Sequence, residues 1–119
     1  MEFVTFEIAK KLKEKGFDYP CIAHYDINKE LKVVLREPIF WHSDALSYTD
    51  APTISQVLKW LREEKKIYLE LVIAADAEYM CDIYKIDSRP IKCLGSTGYS
   101  KTYEDAAIVG IEYVLDNLI

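Results

Sequence analysis

A chain of 119 residues, half of them apolar and 29% charged, has the length of one domain and enough apolar surface for a core without metal or disulfide staples. Disorder and a two-domain enzyme are thereby excluded as starting points. Fifteen basic against twenty acidic side chains leave a formal net charge of −5, which opposes a protein whose main task is coating phosphates.

The longest apolar run falls far short of the ~20 residues of a membrane span, and the N-terminus lacks the basic-then-apolar layout of a leader. Cys21, Cys81 and Cys93 are an odd set without CxxC spacing, which suits reduced thiols rather than a disulfide framework. The expectation is a single soluble cytoplasmic domain over 1–119, with no membrane association and no cofactor.

In chain order, residues 5–15 read as a helix. Thr5 caps it, Glu7 sits in its first turn, and Phe6, Ala9 and Leu12 share a face. Gly16 ends it in the left-handed conformation, with Phe17 folding back onto Leu12 as in a Schellman motif. Residues 21–25 and 31–35 read as strands, and the polar, Asx-containing segment 26–29 between them predicts an antiparallel hairpin. Residues 37–51 show no helical or strand period, yet Pro38, Ile39, Phe40, Trp41, Leu46 and Tyr48 load the loop with large apolar groups.

The second helix starts at Thr53, where Thr53-Ile54-Ser55-Gln56 is a capping box. Ile54, Val57, Leu58 and Leu61 form its buried stripe, Trp60 lies at the core edge, and residues 62–66 make the solvated end. Strands over 67–73 and 79–86 flank a turn at 75–78, a second hairpin that predicts Leu69, Val72, Ile83 and Ile86 less exposed than Glu70 and Asp82. Residues 87–101 read as a loop holding a short edge strand at 91–94.

Thr102 caps the last helix, to about residue 118. One face carries Tyr103, Ala106, Ala107, Gly110, Tyr113 and Val114; a second apolar row holds Ile108, Ile111 and Leu115. The predicted fold is α+β, order α-ββ-α-ββ-α: two layers, with three helices on one antiparallel sheet of four to five strands.

Three stretches carry a resemblance: residues 5–17 (TFEIAKKLKEKGF), residues 51–63 (APTISQVLKWLRE), and Thr102-Tyr103-Glu104-Asp105-Ala106-Ala107 with Gly110-Ile111-Glu112-Tyr113 and the ending Leu118-Ile119. They resemble small uncharacterised phage and mobile-element proteins of anaerobic gut bacteria. The resemblance carries no catalytic residues over; it implies an accessory phage-type protein that binds some host or phage component.

Cys21-x-x-His24-x-Asp26, with His42 and Asp44 further on, holds the residue types of a zinc site or a cysteine hydrolase. On a strand, however, Cys21 faces away from His24 and Asp26. The expectation is a buried Cys21, a surface His24, and core thiols at Cys81 and Cys93, with no catalytic or metal-binding residue assigned. Gly95-Ser96-Thr97-Gly98 with Lys101 does not match a phosphate loop, and Glu104 and Asp105 repel an anion there.

Residues 53–119 share the element order of a double-stranded-RNA-binding domain. Yet residues 67–119 hold four basic against nine acidic side chains, so nucleic acid is not the expected partner. Lys10, Lys11, Lys13 and Lys15 of the first helix, with Lys59, Arg62, Lys65 and Lys66 of the second, would serve a nucleic-acid-associated regulator, the alternative to the leading expectation. That leading expectation is a non-catalytic interaction protein, a homodimer whose candidate interface comprises Phe40, Trp41, Tyr48, Ile108, Ile111 and Leu115. A Cys/His enzyme or metal site ranks third.

Overall fold

The computed structural model describes residues 2–33 and 48–119. By its internal contacts the chain divides into two compact units, Met1–Gln56 and Val57–Ile119, so the single-domain length expectation sits beside two separate contact clusters.

In the first unit, helix α1 (Phe6–Glu14) begins where the Thr5 hydroxyl accepts the Ile8 N–H at 3.3 Å. Ile8, Ala9 and Leu12 are its buried residues. Gly16 adopts φ +87°, and the Phe17 N–H reaches the Leu12 carbonyl at 3.0 Å while that of Gly16 reaches Lys13 at 3.2 Å. These two bonds are the Schellman pair expected from the Gly16-Phe17 dipeptide.

Strand β1 (Ala23–Tyr25) pairs antiparallel with β2 (Leu31–Val33) and with β3 (Thr49–Asp50), giving the order β2-β1-β3. Asp26 closes the hairpin, its Oδ1 accepting the N–H groups of Asn28 at 2.8 Å and Glu30 at 3.0 Å. An Asx side chain that occupies turn amides in this way explains why the loop is polar.

Helix α2 (Ile54–Trp60) continues as a widened π-helical turn over Leu61–Lys65. Its start is the capping box: the Gln56 N–H donates to Thr53 Oγ1 at 3.2 Å and the Thr53 N–H to Gln56 Oε1 at 2.9 Å. Thr53→Ala is expected to lower stability by about 1 kcal/mol, because one first-turn amide loses its acceptor. An unchanged thermal melt would refute the cap.

Ile54, Val57 and Leu61 are buried as the stripe requires, Leu58 of the expected stripe is only half-buried, and Trp60 is buried rather than at the edge. Lys65 Nζ lies 5.3 Å from the Trp60 ring centroid.

In the second unit, β4 (Ile67–Ile73) and β5 (Tyr79–Lys85) pair antiparallel over their whole length, and β6 (Lys92–Ser96) adds to β5. Ala77 supplies the positive φ of +59° that tightens the hairpin, with the Ala74 N–H on the Glu78 carbonyl at 2.7 Å. Leu69 and Ile83 are buried as expected, but Ile86 is 38% exposed and Val72 only half-buried. Ile86 lies past the end of β5, and Val72 shares the face of Glu70 because side chains alternate.

Helix α3 (Tyr103–Asn117) starts at Thr102, whose hydroxyl accepts the Asp105 N–H at 3.0 Å. A Cβ at Gly110 would stand 2.6 Å from Cys81 Sγ and 3.0 Å from Leu69 Cδ2, so the helix sits tight on β4 and β5 at that point.

The α+β class and the three helices are as expected, and no helix among the described residues is long and apolar enough to cross a membrane. The sheet is a correction. In place of one sheet of four to five strands the described residues form two three-stranded antiparallel sheets. Each hairpin takes its third strand from the segment before the next helix, so β1 and β5 each have a partner on both edges.

The α3 faces are also corrected. Ile111 is 0% and Leu115 2% exposed, while Tyr103 and Tyr113 are exposed. The small residues Ala106, Ala107 and Gly110 let the helix sink until the buried stripe includes part of the second row.

Candidate functional site

Cys21 is fully buried, and its thiol donates to the Tyr19 carbonyl at 3.3 Å. Burial first, and the Asp50 carboxylate second, push that thiol up to about 12. A thiol held protonated in this way is a poor nucleophile at neutral pH.

His24, expected at the surface, is only 6% exposed. It lies in β1 between Lys32 and Asp50 on the neighbouring strands, with Tyr48 edge-on at 4.5 Å between ring centroids. Asp26 is committed to its turn; the Glu30 N–H foremost, then that of Asn28, hold its carboxyl below the usual range. Among the described residues no three His, Cys, Asp or Glu side chains form a group able to hold a metal. His42 and Asp44 lie outside the described residues.

Desolvation lowers the His24 pKa from 6.5, with Lys32 acting the same way and Asp26 opposing. The unfolded chain therefore takes up a proton near 6.5 that the folded chain refuses until a lower pH, so stability is full above that value and falls as pH drops below it. The thermal midpoint is expected to decline between pH 7 and 5. His24→Gln should flatten that decline; an equal slope in wild type and variant would show that another group titrates.

Cys81 is buried and its thiol is likewise pushed up to about 12, chiefly by desolvation. Cys93, expected in the core, is exposed on β6. Lys92–Ser96 being strand, Gly95 and Ser96 are part of a ladder, and Thr97 Oγ1 accepts the Cys81 N–H at 3.1 Å. No phosphate loop forms there.

Of the expected interface, Phe40 and Trp41 lie outside the described residues. Tyr48 is exposed, Ile108 half-buried, and Ile111 and Leu115 are buried within the chain itself. The last two are corrected from interface to core: an interface side chain must reach solvent in the single copy, and these do not.

The surface that sequence patterning missed is the second face of the C-terminal sheet. Gly110 fixes which face that is, because it approaches Leu69 and Cys81. The alternate residues point the other way. There the register sets Tyr68 opposite Tyr84, Glu70 opposite Asp82, and Val72 opposite Met80. Tyr68 is 40% exposed, Glu70 and Cys93 are exposed, and the rest are half-buried.

Two carboxylates directly opposed across a ladder disfavour the sheet. The Ser96 hydroxyl offsets part of this by donating to Asp82 Oδ1 at 2.7 Å. Partial desolvation first, then Asp82 and Glu70, hold the Tyr84 phenol above its ordinary value. The row combines rigid aromatic area and a thioether, which are features of protein-contact surfaces, with a pair of opposed carboxylates. The signal available in sequence was the alternation of β4 itself, with Tyr68, Glu70 and Val72 at spacing two.

No family model matches the chain, and neither a curated protein nor a solved structure does.

Proposed function

We propose that the chain is a non-catalytic interaction protein of the phage accessory kind, one that associates with itself and binds a host or phage protein through the open face of its C-terminal sheet. The observation that supports this most is the in-register set Tyr68–Tyr84, Glu70–Asp82 and Val72–Met80 on the side of the sheet away from Gly110. A partner rich in arginine and lysine suits it. Guanidinium groups stack on tyrosine and pair with carboxylates, and residues 67–119 hold the chain's whole acidic excess. Residues Lys10 and Lys13 of α1 are exposed and belong to the alternative, a nucleic-acid-associated regulator.

The test is affinity capture from the native host with wild type beside the double variant Glu70→Lys, Asp82→Lys, folding being checked by circular dichroism. A protein held by wild type and lost from the folded variant supports this reading. Equal capture by both overturns it. Retention on immobilised DNA that falls steeply with salt, and is abolished by Lys10→Glu with Lys13→Glu, would replace it with the alternative.

A further inference from the structure

The edge of β4 carries the next step, which rests on the self-association in the reading above. The Ala74 N–H bonds the Glu78 carbonyl and the Ile86 N–H bonds the Lys66 carbonyl. In an antiparallel ladder hydrogen-bonded pairs alternate, so these two bonds fix the phase between them. Tyr68, Glu70 and Val72 direct their backbone groups to β5. Leu69, Leu71 and Ile73 direct theirs outward, away from the sheet.

Among the described residues no hydrogen bond reaches those outer groups, and β5 is the only strand paired with β4. Natural sheets protect such an edge with bulges, lysines, prolines or a short strand. The opposite edge has such devices: β6 is five residues long, starts at Lys92, and its pairing shifts register between Ile83 and Tyr84. β4 has seven residues, Ile67-Tyr68-Leu69-Glu70-Leu71-Val72-Ile73, paired with β5 without a register shift. Glu70 is its single charge, and Ile73 at its end is 63% exposed.

We infer that β4 pairs antiparallel with β4 of a second copy, joining two three-stranded sheets into one of six strands about a two-fold axis. Glu70 selects the register. A two-fold axis at Glu70 would oppose two carboxylates, which is unfavourable. An axis at Leu71 keeps the outward groups matched, sets Leu69 opposite Ile73 and Glu70 opposite Val72 of the second copy, and covers the exposed Ile73. Five facing pairs then form, three of them hydrogen-bonded, with about six new main-chain hydrogen bonds. The second copy is the occupant because the strand is complementary to itself in this register and apolar except at the one position the register takes off the axis.

Sedimentation velocity at several concentrations, with wild type, Ile73→Lys and Tyr99→Lys, tests the pairing. Tyr99 is 66% exposed outside β4 and serves as control. Wild type and Tyr99→Lys are expected to dimerise alike, and Ile73→Lys to weaken the dimer at least about tenfold. Hydrogen exchange supplies an independent readout. The amides of Leu69, Leu71 and Ile73 should gain protection as concentration rises, while those of Tyr68, Glu70 and Val72, bonded within one copy, should not change.

A wild type that stays monomeric into the hundred-micromolar range overturns the pairing, as does a dimer indifferent to Ile73→Lys with exchange at the three amides unchanged. A monomer that still captures a partner through Glu70 and Asp82 would separate failure of this pairing from failure of the interaction reading.

Discussion

Gly110→Val is expected to be among the most damaging single changes in the C-terminal unit. Even an alanine Cβ would stand 2.6 Å from Cys81 Sγ and 3.0 Å from Leu69 Cδ2. Overpacking of about 1–3 kcal/mol would therefore meet a helix-propensity gain of up to ~1 kcal/mol. Valine adds two methyl groups and little of that gain. Its cost should reach roughly 3 kcal/mol or more, a large share of the ~5–15 kcal/mol that holds a domain together.

Calorimetry should show a thermal midpoint lowered by about 10–20 °C for a unit of this size. Because the nearest obstacle is the Cys81 sulfur, Cys81→Ala should recover part of the loss. The double variant should accordingly be more stable than the sum of the two single changes predicts. Strict additivity would mean that α3 does not approach β5 as closely as these distances require.

Ile111 carries the second large effect and inverts the expectation drawn from sequence. As an interface residue, Ile111→Glu would dissociate a dimer and leave the fold intact. As a residue of 0% exposure, it should unfold the C-terminal unit at neutral pH. A carboxylate without a partner in the interior costs several kcal/mol, and loss of the isoleucine adds a cavity that Ile111→Ala would report at about 2–5 kcal/mol.

The sign of the pH effect follows. The buried glutamate has a raised pKa in the folded chain, so its penalty is greatest above that value and is relieved as pH falls through it. Val109→Glu is the matched control, since Val109 is exposed on the same helix, and it should melt close to wild type. If Ile111→Glu and Val109→Glu melt together, the burial of the second row is wrong.

Local features were legible from residue order. Thr5, Thr53 and Thr102 cap their helices, Gly16 and Phe17 make the Schellman pair, and the hairpin loops turn at Asp26 and Ala77. Each is closed by hydrogen bonds between residues two to five apart, so the chemistry and its partner lie in one window. Cys21, buried as expected, belongs to the same category, because a thiol without a basic neighbour is treated by the chain as a small apolar group.

Tertiary structure alone decided the rest. β3 is two residues long, too short to show a period, and exists through its pairing with β1. One sheet or two depends on whether the third strand of each hairpin comes from its own unit, and alternation in the hairpins is the same in both cases. α3 displays two apolar rows to any reader of its sequence; the close approach at Gly110 selects the stripe that includes Ile111 and Leu115. His24 is buried and Cys93 exposed because neighbours distant in sequence cover one and not the other. The face of β4 away from Gly110, and its edge without a strand partner among the described residues, have the same origin, since a strand's alternation says that it has two faces and only the elements packed around it settle which face is covered.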